Sequence, residues 1–396
     1  MKRVLYVSGS VGLGHVTRDL AISRSLRKLN PDVQIEWLSE DPATTYLKSE
    51  GEMVLPEASQ MVHGNRFLHD PEVYDLNVMH WMARGRKHMP VNAKTILDIA
   101  LKGNYDLVIG DEAFDLIFEF LADPSKKAFP FVMIYDCFGV DQVNHNPKDM
   151  FFTWYMNRSW VKALDAKGEA ADRFFFVGEM EDIQDKSLGI FLPNRRVQAK
   201  KAFDFVGNII RFDSRQFGNK KEVRGILGYD DRPLVLVTKG GTDVGKSLLD
   251  LCIAAYPFAK KRIPDLRMVI VCGPSLDPNT IKAPEGVDVR GFEPKLYEHV
   301  AASDLVITQG GHTTVNEIMA LEKPFIVFPL EHHFDQLETV KIRCDEQGAG
   351  VKMRFYQTTP EMLGDSIAAN LGKKVSYPGF KYNTGERAAE ILSKML

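Results

Sequence analysis

Short apolar runs alternate along the chain with stretches whose apolar residues recur at helical spacing. LVLV at 234–237 is apolar at successive positions, as in parallel strands that helices cover on both faces. The alternation of strand and helix predicts βαβ units and an α/β fold. The predicted strands form two series, at 3–7, 34–38, 107–109, 131–135 and 174–177, and then at 234–238, 268–272, 305–308 and 325–328.

This alternation breaks between about residues 187 and 223, where proline, glycine and clustered basic residues predict a linker. We therefore expect two doubly wound, Rossmann-like parallel-sheet domains facing a cleft, one over 1–205 and one over 206–380. In the segment 381–396, apolar residues recur at the spacing of an amphipathic helix, which we expect to pack back on the first domain. These residues are Ala388, Ile391, Leu392 and Met395.

Composition narrows the class of protein. The 396 residues include 50 basic and 53 acidic side chains, a formal net charge of −3, so a nucleic-acid partner is not expected. The 4 cysteines form no C-x-x-C pair, which disfavours a disulfide scaffold or a zinc ribbon. We find neither a signal-peptide pattern nor an apolar stretch of about 18 residues, and we expect a cytoplasmic protein.

A glycine-rich loop, GSVGLGH at 9–15, follows the first predicted strand and opens a helix. Glycines at such a place let backbone N–H groups approach an anion at a helix N-terminus. The dinucleotide fingerprint is incomplete, because Thr17 stands where a third small residue belongs. His15 at the helix start is a candidate general base, and the alternative is a packed side chain at a tight turn.

A second loop, GGTDVGKS at 240–247, satisfies the P-loop pattern between a strand and a helix. A P-loop NTPase also needs an acidic residue at the end of a later strand to help hold Mg²⁺. The later predicted strands end in CGP, TQGG and PLE, without an aspartate. A diphosphate-approaching turn of another kind is therefore favoured, and Lys246 has no assigned role.

Two further polar segments follow strands of the second series. In TQGGHTT at 308–314, glycines, a histidine and two hydroxyls at a helix N-terminus predict an anion site. Glu317 is either the capping-box partner of Thr314 or an acceptor for a ribose diol. In EHHFDQ at 331–336, the adjacent His332 and His333 point in different directions, so no metal site is expected.

The first loop taken together with GGHTTVNEIMALEKPFIVFPLEHHFDQ at 310–336 resembles the GT-B fold nucleotide-sugar glycosyltransferases of the UDP-glycosyltransferase superfamily. That superfamily includes the lipid-precursor N-acetylglucosaminyltransferase and UDP-glucosyltransferases. The resemblance implies inverting transfer of a hexose from a UDP-sugar, as co-substrate, to a hydroxyl acceptor that is a lipid or a small molecule. No Asp-x-Asp motif occurs, which favours a metal-independent reaction without a cofactor.

The resemblance also implies roles for individual residues. Residues 310–314 would hold the diphosphate, Glu317 the ribose, Phe292 the uracil ring, and Asp335 with Gln336 the sugar hydroxyls. His15 would deprotonate the acceptor hydroxyl, and Asp111 would orient His15. The donor-binding set is Gly14, Thr238, Lys239, Gly240, Gly241, Thr242, Phe292, Gly310, Gly311, His312, Thr313, Thr314, Glu317, Asp335 and Gln336.

Two aromatic and basic stretches, at 79–89 and 151–164, have the composition of a surface that contacts a membrane near a lipid-linked acceptor. Ordinary helix packing with a solvated basic side is the alternative. Three other functions remain open: a UDP-sugar epimerase of the same fold, a P-loop NTPase that uses 240–247, and a nucleotide-sugar-binding subunit without catalysis.

Overall fold

The computed structural model describes residues 1–9, 12–62, 74, 88–141, 146–241 and 244–396, apart from the side chains of 334, 335, 338 and 339. The chain forms two parallel sheets with helices packed around each, joined by a small third sheet. The prediction of an α/β fold with two Rossmann-like domains is confirmed.

The first sheet is built from strands whose side chains are almost all buried, because helices cover both faces. Its order is β3-β2-β1-β4-β5-β6-β7, so the winding direction reverses between β1 and β4. Loops that follow strands at such a reversal border a crevice. The strands are β1 (Arg3–Val7), β2 (Gln34–Leu38), β3 (Met53–Val54), β4 (Leu107–Asp111), β5 (Phe131–Tyr135), β6 (Arg173–Phe176) and β7 (Phe203–Phe205).

Local caps define several helices of the first domain. The Asn146 side chain accepts from the backbone N–H of Asp149, and the Asn194 side chain accepts from that of Val197. The helices are α1 (Gly14–Leu29), α2 (Ala43–Ser49), α3 (Met89–Lys102), α4 (Phe114–Ala122), α5 (Pro147–Asp165) and α6 (Arg195–Ala202), with 3-10 turns at Pro56–Gln60, Pro124–Lys126 and Met180–Asp182.

The second sheet repeats this architecture. Its strands are β9 (Leu234–Thr238), β10 (Arg267–Val271), β11 (Val287–Arg290), β12 (Leu305–Thr308), β13 (Phe325–Val327) and β14 (Val351–Lys352), in the order β11-β10-β9-β12-β13-β14. Its helices are α7 (Lys220–Leu227), α8 (Lys246–Arg262), α9 (Leu296–Ala302), α10 (His312–Ala320), α11 (Phe334–Glu346) and α12 (Pro360–Asn370), with 3-10 turns at Ser214–Phe217, Pro278–Thr280 and Phe355–Gln357. The winding reverses between β9 and β12, so the loops after these strands border a second crevice.

The chain passes between the domains twice, and the two passages pair as β8 (Asn208–Ile209) and β15 (Tyr382–Asn383). After the second passage, α13 (Glu386–Ser393) packs on α1 and buries Ala388, Ala389 and Leu392 in the core of the first domain. Gly385 allows this approach, because a Cβ there would lie 2.7 Å from the backbone nitrogen of Ile22. The last helix therefore completes the first domain.

A buried ion pair also joins the domains. Arg343 on α11 donates from Nε to Asp182 Oδ1 at 2.9 Å, and its Nη2 lies 2.9 Å from Asp182 Oδ2. Its Nη1 donates to Asn316 Oδ1 on α10 at 2.6 Å. Both charged side chains are almost fully buried, at 6% exposure for Asp182 and 3% for Arg343.

The structure corrects some boundaries. The linker predicted over 187–223 is too broad, because α6 and β7 complete the first domain and α7 belongs to the second. The short or partly polar strands β3, β7, β11 and β14 were missed, since they lack an extended apolar run. Among the described helices, none combines the length and apolarity needed to cross a bilayer.

Candidate active site

Glycine-rich loops from the two domains touch across the cleft. Thr313 Oγ1 donates to the backbone oxygen of Gly14 at 3.2 Å. A Cβ on Gly241 would lie 2.7 Å from the backbone nitrogen of Leu13, so only glycine permits this approach. The loop after β1 thus lies directly against the loop after β9 and the first turn of α10.

His15 and Asp111 are brought together, with His15 Nδ1 3.3 Å from Asp111 Oδ1. Arg18, one turn along α1, lies between them and donates to both oxygens of Asp111, at 2.7 and 2.6 Å. It also donates to Asp136 Oδ2 at 2.5 Å. The contact between His15 and Asp111 that the family resemblance implies is present. The Arg18 guanidinium also contacts both side chains.

These charges perturb one another strongly. Burial and the Arg18 charge lower the pKa of His15, but Asp111 and Glu112 outweigh them and raise it to about 9. Burial alone would raise the pKa of Asp111, yet Arg18 and His15 lower it to about 2. His15 is therefore an imidazolium at neutral pH in this arrangement, and its role as a general base stays a prediction.

His15, Glu112 and Asp136 each offer one ligand atom within 4.8 Å of the others. We assign no metal to this cluster, because the Arg18 guanidinium already supplies a positive charge to Asp136 and to the neighbouring Asp111. Metal independence stays a prediction.

The second domain contributes a buried histidine at the start of α10. Gly311 is the N-cap, so His312, Thr313 and Thr314 form the first helical turn rather than the loop predicted from the sequence. His312 is 8% exposed, and neither ring nitrogen has a hydrogen-bond partner. Burial and the charge of Arg343 lower its pKa to about 3, so the imidazole is neutral. Gly310, with φ +88°, turns the chain into this helix.

Thr238 at the end of β9 and Lys239 in the loop that follows it also belong to the predicted donor-binding set. Thr238 is buried, and its hydroxyl accepts from the backbone N–H of Gly240 at 3.2 Å. Lys239 is fully buried, and its ammonium donates to Ser275 Oγ at 3.0 Å. Thr242 lies outside the described residues.

Glu317 forms an ion pair with Arg211, which follows β8 in the passage between the two domains. Arg211 Nε donates to Glu317 Oε1 at 2.9 Å, and Nη1 donates to the Tyr46 hydroxyl at 2.7 Å. The alternative of a capping box with Thr314 is wrong, because α10 has Gly311 as its N-cap and that residue has no side-chain bond. The ribose role of Glu317 stays a prediction. Phe292 is partly exposed and meets Tyr46 edge to face at 5.9 Å.

The segment after β13 is described in part. Gln336 is buried, and its Oε1 accepts from the backbone N–H of Leu330 at 2.8 Å. Its contact with sugar hydroxyls stays a prediction. The side chain of Asp335 lies outside the described residues. In the P-loop-like segment, Lys246 pairs with Asp250 at 2.8 Å along α8.

Sequence reasoning missed Arg18, Glu112, Arg211 and the Asp182–Arg343 pair. Arg18 carried a usable signal, since it lies three residues after His15 and so on the same helix face. Glu112 follows Asp111 directly and adopts a left-handed backbone conformation with φ +52°, which the sequence does not reveal.

Comparison with known proteins gives concordant results. Residues 234–390 match the glycosyltransferase family 28 C-terminal domain. An uncharacterized glycosyltransferase of Methanosarcina mazei is 37% identical over 106 residues, which are 26% of this chain and 28% of that protein. The UDP-N-acetylglucosamine--N-acetylmuramyl-(pentapeptide) pyrophosphoryl-undecaprenol N-acetylglucosamine transferase of Chromohalobacter salexigens is 28% identical over 174 residues, 42% of this chain and 47% of that protein. The matches thus span less than half of these two curated relatives.

A solved structure shows the same fold over the whole chain. The calicheamicin glycosyltransferase CalG4 superposes with a TM-score of 0.61 and 16% identity, over 100% of this chain and 98% of that one. The predicted resemblance is confirmed, and the prediction of an enzyme is supported by the glycosyltransferase domain and the glycosyltransferase relatives. This chain has the GT-B fold and carries a glycosyltransferase family 28 C-terminal domain in its second half.

Proposed function

We propose that this protein transfers a hexose from a UDP-sugar to a hydroxyl acceptor, with inversion and without a metal ion. The observation that carries the proposal is His312, a buried imidazole at a helix N-terminus with both ring nitrogens unpaired. Such a group costs stability unless a ligand satisfies it, and the N-terminal end of a helix favours an anion. A diphosphate supplies both the acceptor oxygens and the charge.

The reaction follows from the two sides of the cleft. The leaving UDP gains negative charge in the transition state, and the first turn of α10 with His312 stabilises that charge. The acceptor hydroxyl binds on the first domain, next to the cluster around His15 and Asp111. The Gly14 to Thr313 contact supports this arrangement, because it holds the two sides adjacent.

Calorimetric titration of UDP, UDP-glucose, UDP-N-acetylglucosamine, GDP, dTDP and ATP, each with and without Mg²⁺, tests the donor. UDP is expected to bind without Mg²⁺. His312→Ala should weaken UDP binding by roughly 10- to 150-fold, since a hydrogen bond to a charged group contributes about 1.5–3 kcal/mol. The matched control is His299→Ala, because His299 is buried in the same domain but bonds to Tyr229. ATP binding that requires Mg²⁺ would instead support the P-loop alternative.

The proposed acceptor is a hydroxyl of a lipid-linked or small molecule. The Chromohalobacter relative is named for a pyrophosphoryl-undecaprenol substrate, which supports the lipid-linked case. Incubation with a UDP-sugar and no acceptor separates transfer from epimerisation, because an epimerase forms its product under those conditions. A protein that binds UDP-sugars without turnover under any condition would be a binding subunit.

We also propose that the first domain contacts anionic membrane surfaces from the cytoplasm. Of the two stretches predicted for this role, most of 79–89 lies outside the described residues. On α5, Phe151 and Tyr155 are exposed, and the nearby Phe191 is fully exposed. Flotation with anionic vesicles should recover the protein, and Phe151→Ser with Phe191→Ser should reduce recovery. Tyr356→Ser is the control, an exposed aromatic on the second domain.

A further inference from the structure

Glu112 is the most exposed of the three acidic side chains in the first-domain cluster. Its side chain is 24% exposed, whereas that of Asp136 is 12% exposed and that of Asp111 is 0% exposed. Its backbone N–H donates to Ile134 O at 3.0 Å, and its left-handed backbone directs the chain away from β4. Its Oε2 lies 3.7 Å from Nε2 of His15. Glu112 therefore lies at the mouth of the cluster, and Asp111 lies at its base.

The hydrogen bonds around His15 determine which ring nitrogen carries a proton. Arg18 Nη2 lies 2.6 Å from Nδ1, and a guanidinium donates only. In the neutral ring, Nδ1 either accepts from Arg18, which places the proton on Nε2, or donates to Asp111 Oδ1 at 3.3 Å, which leaves Nε2 unprotonated. In the imidazolium both nitrogens carry a proton. Because the pKa of His15 is raised to about 9, the imidazolium prevails at neutral pH, and its Nε2 presents an N–H toward Glu112 with no lone pair for the acceptor's proton.

The proposed diphosphate site at the start of α10 lies close to the first-domain cluster around His15. His312 and Asp136 each shift the pKa of the other, and the Gly14 to Thr313 contact holds the start of α1 against the start of α10. A diphosphate bound at the start of α10 would thus carry its sugar beside the start of α1, the helix that holds His15.

We propose that Glu112 is the catalytic base, and that His15 is a positioning residue whose Nε2–H orients that carboxylate; this rests on the proposed glycosyl transfer. The acceptor oxygen bonds to the anomeric carbon as its proton passes to Glu112. The bond between that carbon and the phosphate oxygen breaks, and its electron pair leaves with UDP. This assignment differs from the family resemblance, which implies that His15 is the base and that Asp111 orients it.

The surroundings of Glu112 suit this role. Burial and the charges of Asp136 and Asp111 raise its pKa, while His15 lowers it, so the carboxylate is a stronger base than an ordinary glutamate. Transfer should therefore increase with pH as Glu112 deprotonates. The charged and titratable groups facing it are His15, Asp111, Asp136 and the thiol of Cys137, and Arg18 bonds to both aspartates.

The first test measures UDP release from UDP-glucose and UDP-N-acetylglucosamine with water as acceptor. Glu112→Gln should slow release by roughly 10²- to 10⁴-fold, while UDP binding stays within about threefold of wild type. Glu112→Asp should keep part of the activity and the rising pH limb. Glu119→Gln, an exposed acid on α4 paired with Lys126, is the control for charge loss. The proposal would be overturned if Glu112→Gln released UDP at the wild-type rate while His15→Gln released none.

The second test needs no substrate. In NMR titration, Glu112→Gln should lower the pKa of His15 from about 9, because a neighbouring negative charge is removed. An unchanged pKa would show that the two side chains do not interact and would overturn the proposal. If wild type binds and cleaves no UDP-sugar, the proposed function itself fails, whatever the titration shows.

Discussion

Removing one partner of the Asp182–Arg343 pair should destabilise the contact between the domains. At 2.9 Å and an effective dielectric constant of about 20, two unit charges attract by roughly 6 kcal/mol before desolvation is counted. Removing one partner from a buried pair typically costs about 3–5 kcal/mol, because the remaining charge is left without compensation. We expect this loss for both Asp182→Asn and Arg343→Met.

Urea unfolding of both single variants and the double variant measures the effect. The double variant should be more stable than the sum of the two losses predicts, by at least about 2 kcal/mol. Asp165→Asn removes an exposed ion pair with Lys201 and should cost no more than about 1 kcal/mol. If the two losses were additive, or if each single loss were as small as that of Asp165→Asn, the pair would not be desolvated at the contact between the domains.

The same pair predicts a response to acid. Burial raises the pKa of Asp182, but Arg343 outweighs it and holds the pKa below its ordinary value of about 3.9. A lowered carboxyl pKa gives stability that is present at neutral pH and is lost as pH falls through the lowered pKa. Wild type and Asp182→Asn should therefore converge in stability only in strong acid.

Three other substitutions probe separate features. Burial lowers the pKa of Lys323 from 10.5 to about 8, so wild-type stability should rise relative to Lys323→Met by about 3 kcal/mol across that pH interval, as measured by urea unfolding. Arg211→Met leaves Glu317 buried without its cation; this deficit should grow as pH rises above about 4.3, and a pH-independent loss would contradict it. Gly385→Ala places a Cβ 2.7 Å from Ile22 N at φ +92°, and should cost roughly 2–5 kcal/mol and expose α13 to proteolysis.

Much of the fold follows from the sequence because its central strands are buried on both faces. The run LVLV at 234–237 shows that burial directly, and glycines mark the loops after β1 and β12. The edge strand β3 has only two residues, and β7 reads FDF, so neither gives the apolar run that identifies a buried strand. Edge strands depend on their neighbours, and a single sequence shows no neighbours.

The candidate site follows from the sequence only where local pattern determines geometry. The nearness of His15 to Asp111 is implied by the family resemblance. The structure accounts for it, because α1 begins after β1 and Asp111 ends the adjacent strand β4. The position of Arg18 depends on the charges of Asp111 and Asp136, which are about 90 to 120 positions away. Arg211 reaches Glu317 across 106 positions, and no local signal reports such a pairing.

Because α13 lies in the core of the first domain, that core is assembled from segments at both ends of the described chain. During synthesis, the second domain emerges complete before residues 386–393 leave the ribosome. Until then the surface of α1 that receives Ala388, Ala389 and Leu392 is exposed to water. The domain made first is thus the domain finished last, because its core closes only when α13 packs on α1.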